Sequence, residues 1–226
     1  MLIAIEGIDG AGKGTLTRHL LERAEADGIA AASLSFPRYE QTRFSTLIAQ
    51  YLNGRFGAVD EVPARFAALL YAGDRLESLE RLQALIAGHR LVILDRYVAS
   101  NMAYQAARLP EADQAELIAW LDETEFETFG LPRPDLTVLL ATRPDVADEL
   151  VSRKAARSYT DEKRDLHEAN QDFMARTAAV YARLAEQGGD AWLVVETTAA
   201  DGTLRPPDDI AAEIWDELRR RLNADG

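Results

Sequence analysis

Five short apolar runs punctuate the chain: LIAIEG (2–7), IAAASLSF (29–36), RLVILD (90–95), DLTVLLA (135–141) and AWLVVET (191–197). Each run is continuously apolar rather than alternating, the pattern of strands covered on both faces. The stretches between them carry helical spacing. From Pro63 to Ala87 the positions Phe66, Leu69, Leu70, Gly73 and Leu76 recur at three- and four-residue steps. Near the end Ile210, Ile214, Leu218 and Leu222 form one stripe, with Pro206, Pro207, Asp208 and Asp209 as the helix start. Strands alternating with helices predict parallel pairing through right-handed crossovers. The expected fold is α/β, a three-layer sandwich with a five-stranded parallel sheet and helices on both faces. Gly188 and Gly189 read as a turn before the last strand, and LPRPD (131–135) as the lead into the fourth. No repeat or long linker interrupts this pattern, so one domain is expected over 1–226.

Composition narrows the function classes. The chain has 226 residues, 47% of them hydrophobic, enough for one sizeable core. It has no cysteine, which removes disulfides and thiolate metal sites. The net charge of −13 argues against broad nucleic-acid binding, which needs clustered Lys and Arg. The apolar runs are too short to span a bilayer and no leader pattern precedes LIAIEG, so a cytoplasmic protein without membrane partners is expected.

The chemistry begins at GIDGAGKGT, residues 7–15. A strand runs into a glycine-rich loop and a helix follows near Lys13, with Leu16, Leu20 and Leu21 on its apolar side. That setting is the context of a phosphate-binding loop. Its backbone N–H groups at Gly7, Ile8, Asp9, Gly10, Ala11, Gly12, Lys13, Gly14 and Thr15 can turn toward phosphate oxygens, while the helix end and Lys13 add positive charge. Gly14 stands where such loops normally carry the metal-binding hydroxyl, and Thr15 comes one position late. A GKGT ending also occurs in adenylate kinases. The metal is therefore expected to rest mainly on nucleotide phosphates, water and carboxylates. Asp95 at the end of LVILD and Asp9 in the loop are the candidates, with Thr15 as a further one. The loop alone is compatible with a GTPase, a motor ATPase or a small-molecule kinase. An Asn-Lys-x-Asp guanine-reading element is missing from the sequence, and a motor would need more length.

Four ordered motifs then resemble the thymidylate kinase family over most of the chain. IEGIDGAGKGT is similar to that family's opening, FPRY (36–39) to its element after the second strand, YAGDR (71–75) to its Asp-Arg helix segment, and DRYVASNMAYQ (95–105) to its D-R-Y-x-x-S-x-x-A-Y-Q run. The resemblance implies a phosphate-loop nucleoside monophosphate kinase with a small lid, taking ATP and dTMP to ADP and dTDP with Mg2+. It implies that Asp9, Phe36, Arg38, Tyr39, Tyr71, Arg75, Arg96, Asn101, Tyr104 and Gln105 bind dTMP. Tyr71 and Arg75 are one helical turn apart, so a ring can stack on the base while the guanidinium bonds its edge. Asn101, Tyr104 and Gln105 share a face if 98–107 is helical. By resemblance Asn101 would read the thymine edge and Tyr104 would crowd out a ribose 2′-hydroxyl. Arg38 and Arg96, just beyond strand ends, are the candidates for the acceptor phosphate.

The lid is expected at about 151–165. Its run RKAARSYTDEKR (153–164) is basic at five of twelve positions, with Arg153 and Arg157 one turn apart. With Lys13 and Arg96 these two arginines are the catalytic candidates, since phosphoryl transfer depends on positioning and charge neutralisation. Asp165 and Glu168 correspond to the family's acidic element after the lid and could contact the metal or the sugar 3′-hydroxyl. Arg143 and the loop 203–207 lie at strand ends suited to adenine, and the three histidines fall outside the motifs. The resemblance also implies a homodimer. Two other readings stay open: another nucleoside monophosphate kinase, suggested by the GKGT ending, and a non-catalytic nucleotide-binding regulator, suggested by Gly14.

Overall fold

The computed structural model describes residues 1–58, 61–147, 150 and 171–224. Five strands, β1 (Leu2–Glu6), β2 (Ala31–Ser35), β3 (Leu91–Asp95), β4 (Leu136–Ala141) and β5 (Trp192–Glu196), form one parallel sheet in the order β2-β3-β1-β4-β5. All five lie within the apolar runs. The three central strands are almost wholly buried, whereas β2 and β5 at the edges are partly exposed. Continuous apolar character thus marks a strand, but only the inner three need it on both faces.

Helices α1 (Lys13–Ala26), α2 (Arg43–Leu52), α3 (Ala64–Glu77), α4 (Leu79–Gly88), α5 (Val98–Ala106), α6 (Glu111–Asp122), α7 (Gln171–Gly188) and α8 (Pro207–Ala224) are joined by a π-helical turn at Glu123–Thr128 and a 3-10 turn at Gly189–Ala191. The terminal stripe behaves as expected: Ile210, Ile214, Leu218 and Leu222 are buried, and Trp215 beside them donates its indole N–H to Asp27 at 2.9 Å. No described helix is long and apolar enough to cross a membrane.

The stretch 63–87 departs from its pattern in two ways. It is two helices, broken at Ser78, whose hydroxyl donates to the Asp74 carbonyl at 2.7 Å and whose N–H bonds Arg75 O at 3.0 Å. Such a side chain competes with the helical ladder. The stripe that betrays the helix only partly coincides with its buried face: Gly73 is buried and Leu70 packs against Tyr51, Val62 and Ala67, but the other three members point outward. Ala67, Ala68, Ala72, Asp74 and Arg75 are buried, whereas Phe66, Leu69 and Leu76 are 66%, 37% and 40% exposed. Small residues let α3 approach its neighbours, and at Gly73 a Cβ would stand 2.4 Å from the Phe44 ring of α2.

The chain leaves β1 for the edge at β2, returns to β3, and then crosses to β4 on the other side of β1. Neighbouring connections therefore diverge above the carboxyl end of β1, where an open parallel sheet places its ligand crevice.

Candidate active site

A cavity of about 1030 Å³ occupies that position. One wall is the loop from Asp9 to Thr15, and the far wall carries Tyr71, Arg75, Asn101, Tyr104 and Gln105. Phe36, Tyr39, Asp95 and Arg96 line it between these ends.

At the loop, Gly7 has φ +143° and its missing Cβ would lie 2.8 Å from the Leu140 carbonyl of β4. Only glycine permits that approach. Gly12, at φ +91°, precedes α1, and among the described residues no side chain caps the helix or places an acid in its first turn. The positive end of α1 is thus left open to an anion. Lys13 spans the loop, donating Nζ–H to Gly7 O at 3.1 Å and Ile8 O at 2.8 Å. Burial, with help from the nearby Arg96 charge, pulls its pKa down to about 8. At Gly14 a Cβ would meet, among the described residues, only Asp95 Oδ2, at 3.5 Å, so they do not sterically forbid a side chain there.

Among the described residues no group of three or more His, Asp or Glu converges into a cation cage. Asp95 stands level with Ile5 of β1 beside the loop, and Asp9 is paired with Arg96. This donor set fits Mg2+, which keeps most of its waters and takes one or two carboxylates together with substrate phosphates.

Arg96 directly follows β3 and is held at φ +67°, a conformation that costs a non-glycine residue about 1–3 kcal/mol. The surrounding bonds hold it there. Its N–H donates to Ile5 O at 3.0 Å, and its guanidinium reaches Asp9, Ser100 Oγ at 3.1 Å and Gly7 O at 3.3 Å. The guanidinium carbon also sits 5.2 Å from the centre of the Tyr104 ring. Beneath it Glu6, fully buried, accepts from Tyr97 N–H at 2.8 Å, Ser100 Oγ at 2.5 Å and Tyr181 Oη at 2.9 Å.

At the far wall Tyr71 is half-buried. Arg75 Nε and Nη2 donate to Glu125 Oε2 and Oε1 at 2.5 and 2.6 Å. Burial works against the Arg75 charge, but the Glu125 carboxylate more than offsets it and raises the pKa. Asn101 Nδ2 donates to Ala68 O at 3.0 Å and Glu125 Oε1 at 2.9 Å, leaving Oδ1 buried without a partner among the described residues. Gln105 accepts from Arg108 at 2.8 Å.

Arg38 does not line the cavity. Its guanidinium bonds Ser78 Oγ at 3.2 Å and Gln41 Oε1 at 2.7 Å, and its N–H bonds Asp74 at 2.9 Å. Asp74 and Ser78, in and just after α3, together with the neighbouring Gln41, tie it to that helix. On the opposite side Thr197, Leu204, Arg205 and Pro207 line the cavity, whereas Arg143 is exposed and paired with Asp145. Arg153, Arg157, Asp165, Glu168 and the expected lid lie outside the described residues.

Sequence reasoning passed over Glu6, Asp74, Ser100, Glu125 and Tyr181. Glu6 had a signal, an acid ending a buried apolar run, since a buried charge requires partners. Glu125 had none, because it sits in the acid-rich DETEFET, which reads as a solvated face.

A parallel sheet with a lysine-bearing phosphate loop at its central strand, and a cavity running on to an aromatic and arginine-lined far end, defines a phosphate-loop kinase of small molecules. The thymidylate kinase family model matches residues 5–202. The chain is 45% identical over 214 residues to the thymidylate kinase of Mycobacterium tuberculosis (strain ATCC 25618 / H37Rv), covering 92% of this chain and 99% of that protein. It is 37% identical over 223 residues to that of Xanthomonas campestris pv. campestris (strain B100), covering 97% of this chain and 86% of the relative. The solved thymidylate kinase of Candida albicans superposes with a TM-score of 0.71 at 25% identity, covering 98% of this chain and 92% of that one. The chain belongs to the thymidylate kinase family.

Proposed function

We propose that this chain, acting as one unit over 1–226, transfers the γ-phosphoryl group of ATP to dTMP, giving ADP and dTDP. The observation that carries the reading is the continuity of the cavity from Lys13 and its loop, past Arg96, to Tyr71, Arg75 and Asn101. A donor triphosphate on the loop and a nucleotide base at the far wall would bring two phosphates together near Arg96. The acceptor phosphate is already anionic, so in-line attack needs no protein nucleophile. Lys13 and the loop N–H groups hold the donor, and Arg96 aligns the acceptor. Tyr71 stacks on the base, Arg75 and Asn101 bond its edge, and Tyr104 stands beside the sugar. Phe36, Tyr39 and Gln105 complete the acceptor pocket. Arg38 serves there through the loop it braces.

Mg2+ would be held by Asp95 and Asp9 together with phosphate oxygens, with Thr15 and Glu168 as further candidates. Bound there, it neutralises charge on the transferring phosphates. The lid roles of Arg153, Arg157, Asp165 and Glu168 rest on the family resemblance. So does a cytoplasmic location.

We further read the chain as a homodimer. Phe66 and Leu69, one turn apart on α3, and Leu76 further along it support this, because grouped exposed apolar side chains mark interaction surfaces.

The test is ADP release with ATP and Mg2+ when dTMP, dUMP, UMP or AMP is offered separately against a no-acceptor control. Turnover with dTMP and little with UMP or AMP is expected. Turnover with AMP instead would overturn the base-reading assignments, and ATP binding without transfer to any acceptor would favour a regulator.

A further inference from the structure

We propose that Glu125 is a positioning residue for base selection, holding the Asn101 amide in one orientation and Arg75 in one pose so that the cavity accepts a pyrimidine carrying a proton on N3. The inference rests on the reading of this cavity as the acceptor-base pocket.

Glu125 lies in the π-helical turn Glu123–Thr128 and is fully buried. π turns inside helices are rare and concentrate at functional sites. Its two oxygens take three hydrogen bonds, two from Arg75 and one from Asn101. The remaining proton of the Asn101 amide goes to Ala68 O. Both partners of Nδ2 are therefore acceptors that cannot donate, and the amide cannot turn over without setting Oδ1 against two oxygens. Oδ1 becomes the atom left for a ligand, and among the described residues it is buried and unpartnered, on a side chain lining the cavity. Buried polar atoms in native proteins find partners, so this one awaits a donor.

Thymine and uracil carry N3–H and satisfy it. Cytosine presents a lone pair at N3 and would face oxygen with nitrogen lone pair. Arg75 adds to the discrimination. With Nε and one Nη2 proton committed to Glu125, the two Nη1 protons and the second Nη2 proton are left to donate, suited to a carbonyl at C4 and opposed to the cytosine amino group. The specificity of the two visible base readers thus depends on a carboxylate 24 positions from one and 50 from the other.

Glu125→Gln tests this. Glutamine must turn an NH2 group toward Arg75 or Asn101, both of them donors. Relief comes from turning the Asn101 amide, now opposed by Ala68 O alone, which gives the cavity a donor that welcomes cytosine. We expect kcat/KM for dTMP relative to dCMP to fall by roughly tenfold or more, through a higher KM for dTMP, with KM for ATP little changed. Glu125→Asp keeps an acceptor there and should retain the dTMP preference while raising KM. It also serves if the glutamine variant does not fold. A merely structural carboxylate would change both pyrimidines alike. An unchanged dTMP to dCMP ratio in Glu125→Gln, or a lost preference in Glu125→Asp, would overturn the inference while wild-type dTMP turnover left the activity intact. A wild-type chain that used neither pyrimidine would overturn the activity and this inference together.

Discussion

At Lys13 the buried amine is pulled down to about 8 from an ordinary 10.5 while its two hydrogen bonds go to loop carbonyls. Polyphosphate oxygens arriving beside it favour the charged form and raise the pKa again. ATP should therefore bind with proton uptake near pH 8, and its affinity should be full below about pH 8 and fall by about tenfold per unit well above it. The stability contribution has the opposite sense. The unfolded chain holds this proton up to about 10.5 and the folded chain only to about 8, so the Lys13 contribution to stability grows as pH rises between those values. Calorimetric titration of ATP at pH 8 in two buffers of different ionisation enthalpy measures the uptake. Identical heats in the two buffers would show that Lys13 is already fully charged. This residue is readable from a local motif, since loop, lysine and helix lie within nine positions. Glu125 and Asp74 are not, because their partners are tens of residues away and a carboxylate in isolation reads as surface.

Between α2 and α3 the contact is set by a glycine rather than by large apolar side chains. A Cβ at Gly73 would meet Phe44 Cδ1 and Cε1 at 2.4 Å and Cγ at 2.6 Å. Helix propensity alone would favour Gly73→Ala by about 1 kcal/mol, and overpacking typically costs about 1–3 kcal/mol. Because three ring atoms must move together, the steric loss should win. The expected net loss is about 1 kcal/mol, visible as a lower urea midpoint with unchanged m-value. Gly14→Ala supplies the contrast: among the described residues its Cβ meets nothing closer than Asp95 Oδ2 at 3.5 Å, so it should be neutral or stabilising. A higher midpoint for Gly73→Ala would mean that Phe44 moves aside freely. The same helix explains why fold legibility differed among elements. Strands were readable because burial demands continuous apolar residues, and α8 because its stripe faces the core. In α3 the large apolar residues face outward and the buried side is alanine, glycine and a charged pair, so its period was visible but its orientation was not. The π turn carrying Glu125 escapes a 3.6-residue reading altogether, since its winding shifts every face.

The outward stripe of α3 ties the assembly of the whole molecule to its site. Phe66, Leu69 and Leu76 are exposed on one side of the helix, while Tyr71 and Arg75 line the cavity from it. A second copy packed on α3 would remove apolar surface from water, worth about 1.5–3 kcal/mol for a fully buried phenylalanine. It would also brace the helix bearing Tyr71 and Arg75, the side chains proposed to bind the base. The net charge of −13 opposes association at long range, and salt should weaken that opposition. Wild type should therefore sediment as a dimer of the 25.0 kDa chain, more tightly at 0.5 M than at low salt. Phe66→Asp puts a carboxylate into a face that must desolvate in both copies. It should loosen the dimer by at least about tenfold, with KM for dTMP raised more than KM for ATP because α3 lines only the acceptor end. A wild type that sediments as a monomer at micromolar concentration would refute the dimer. A dissociated variant with unchanged KM for dTMP would separate assembly from the pocket.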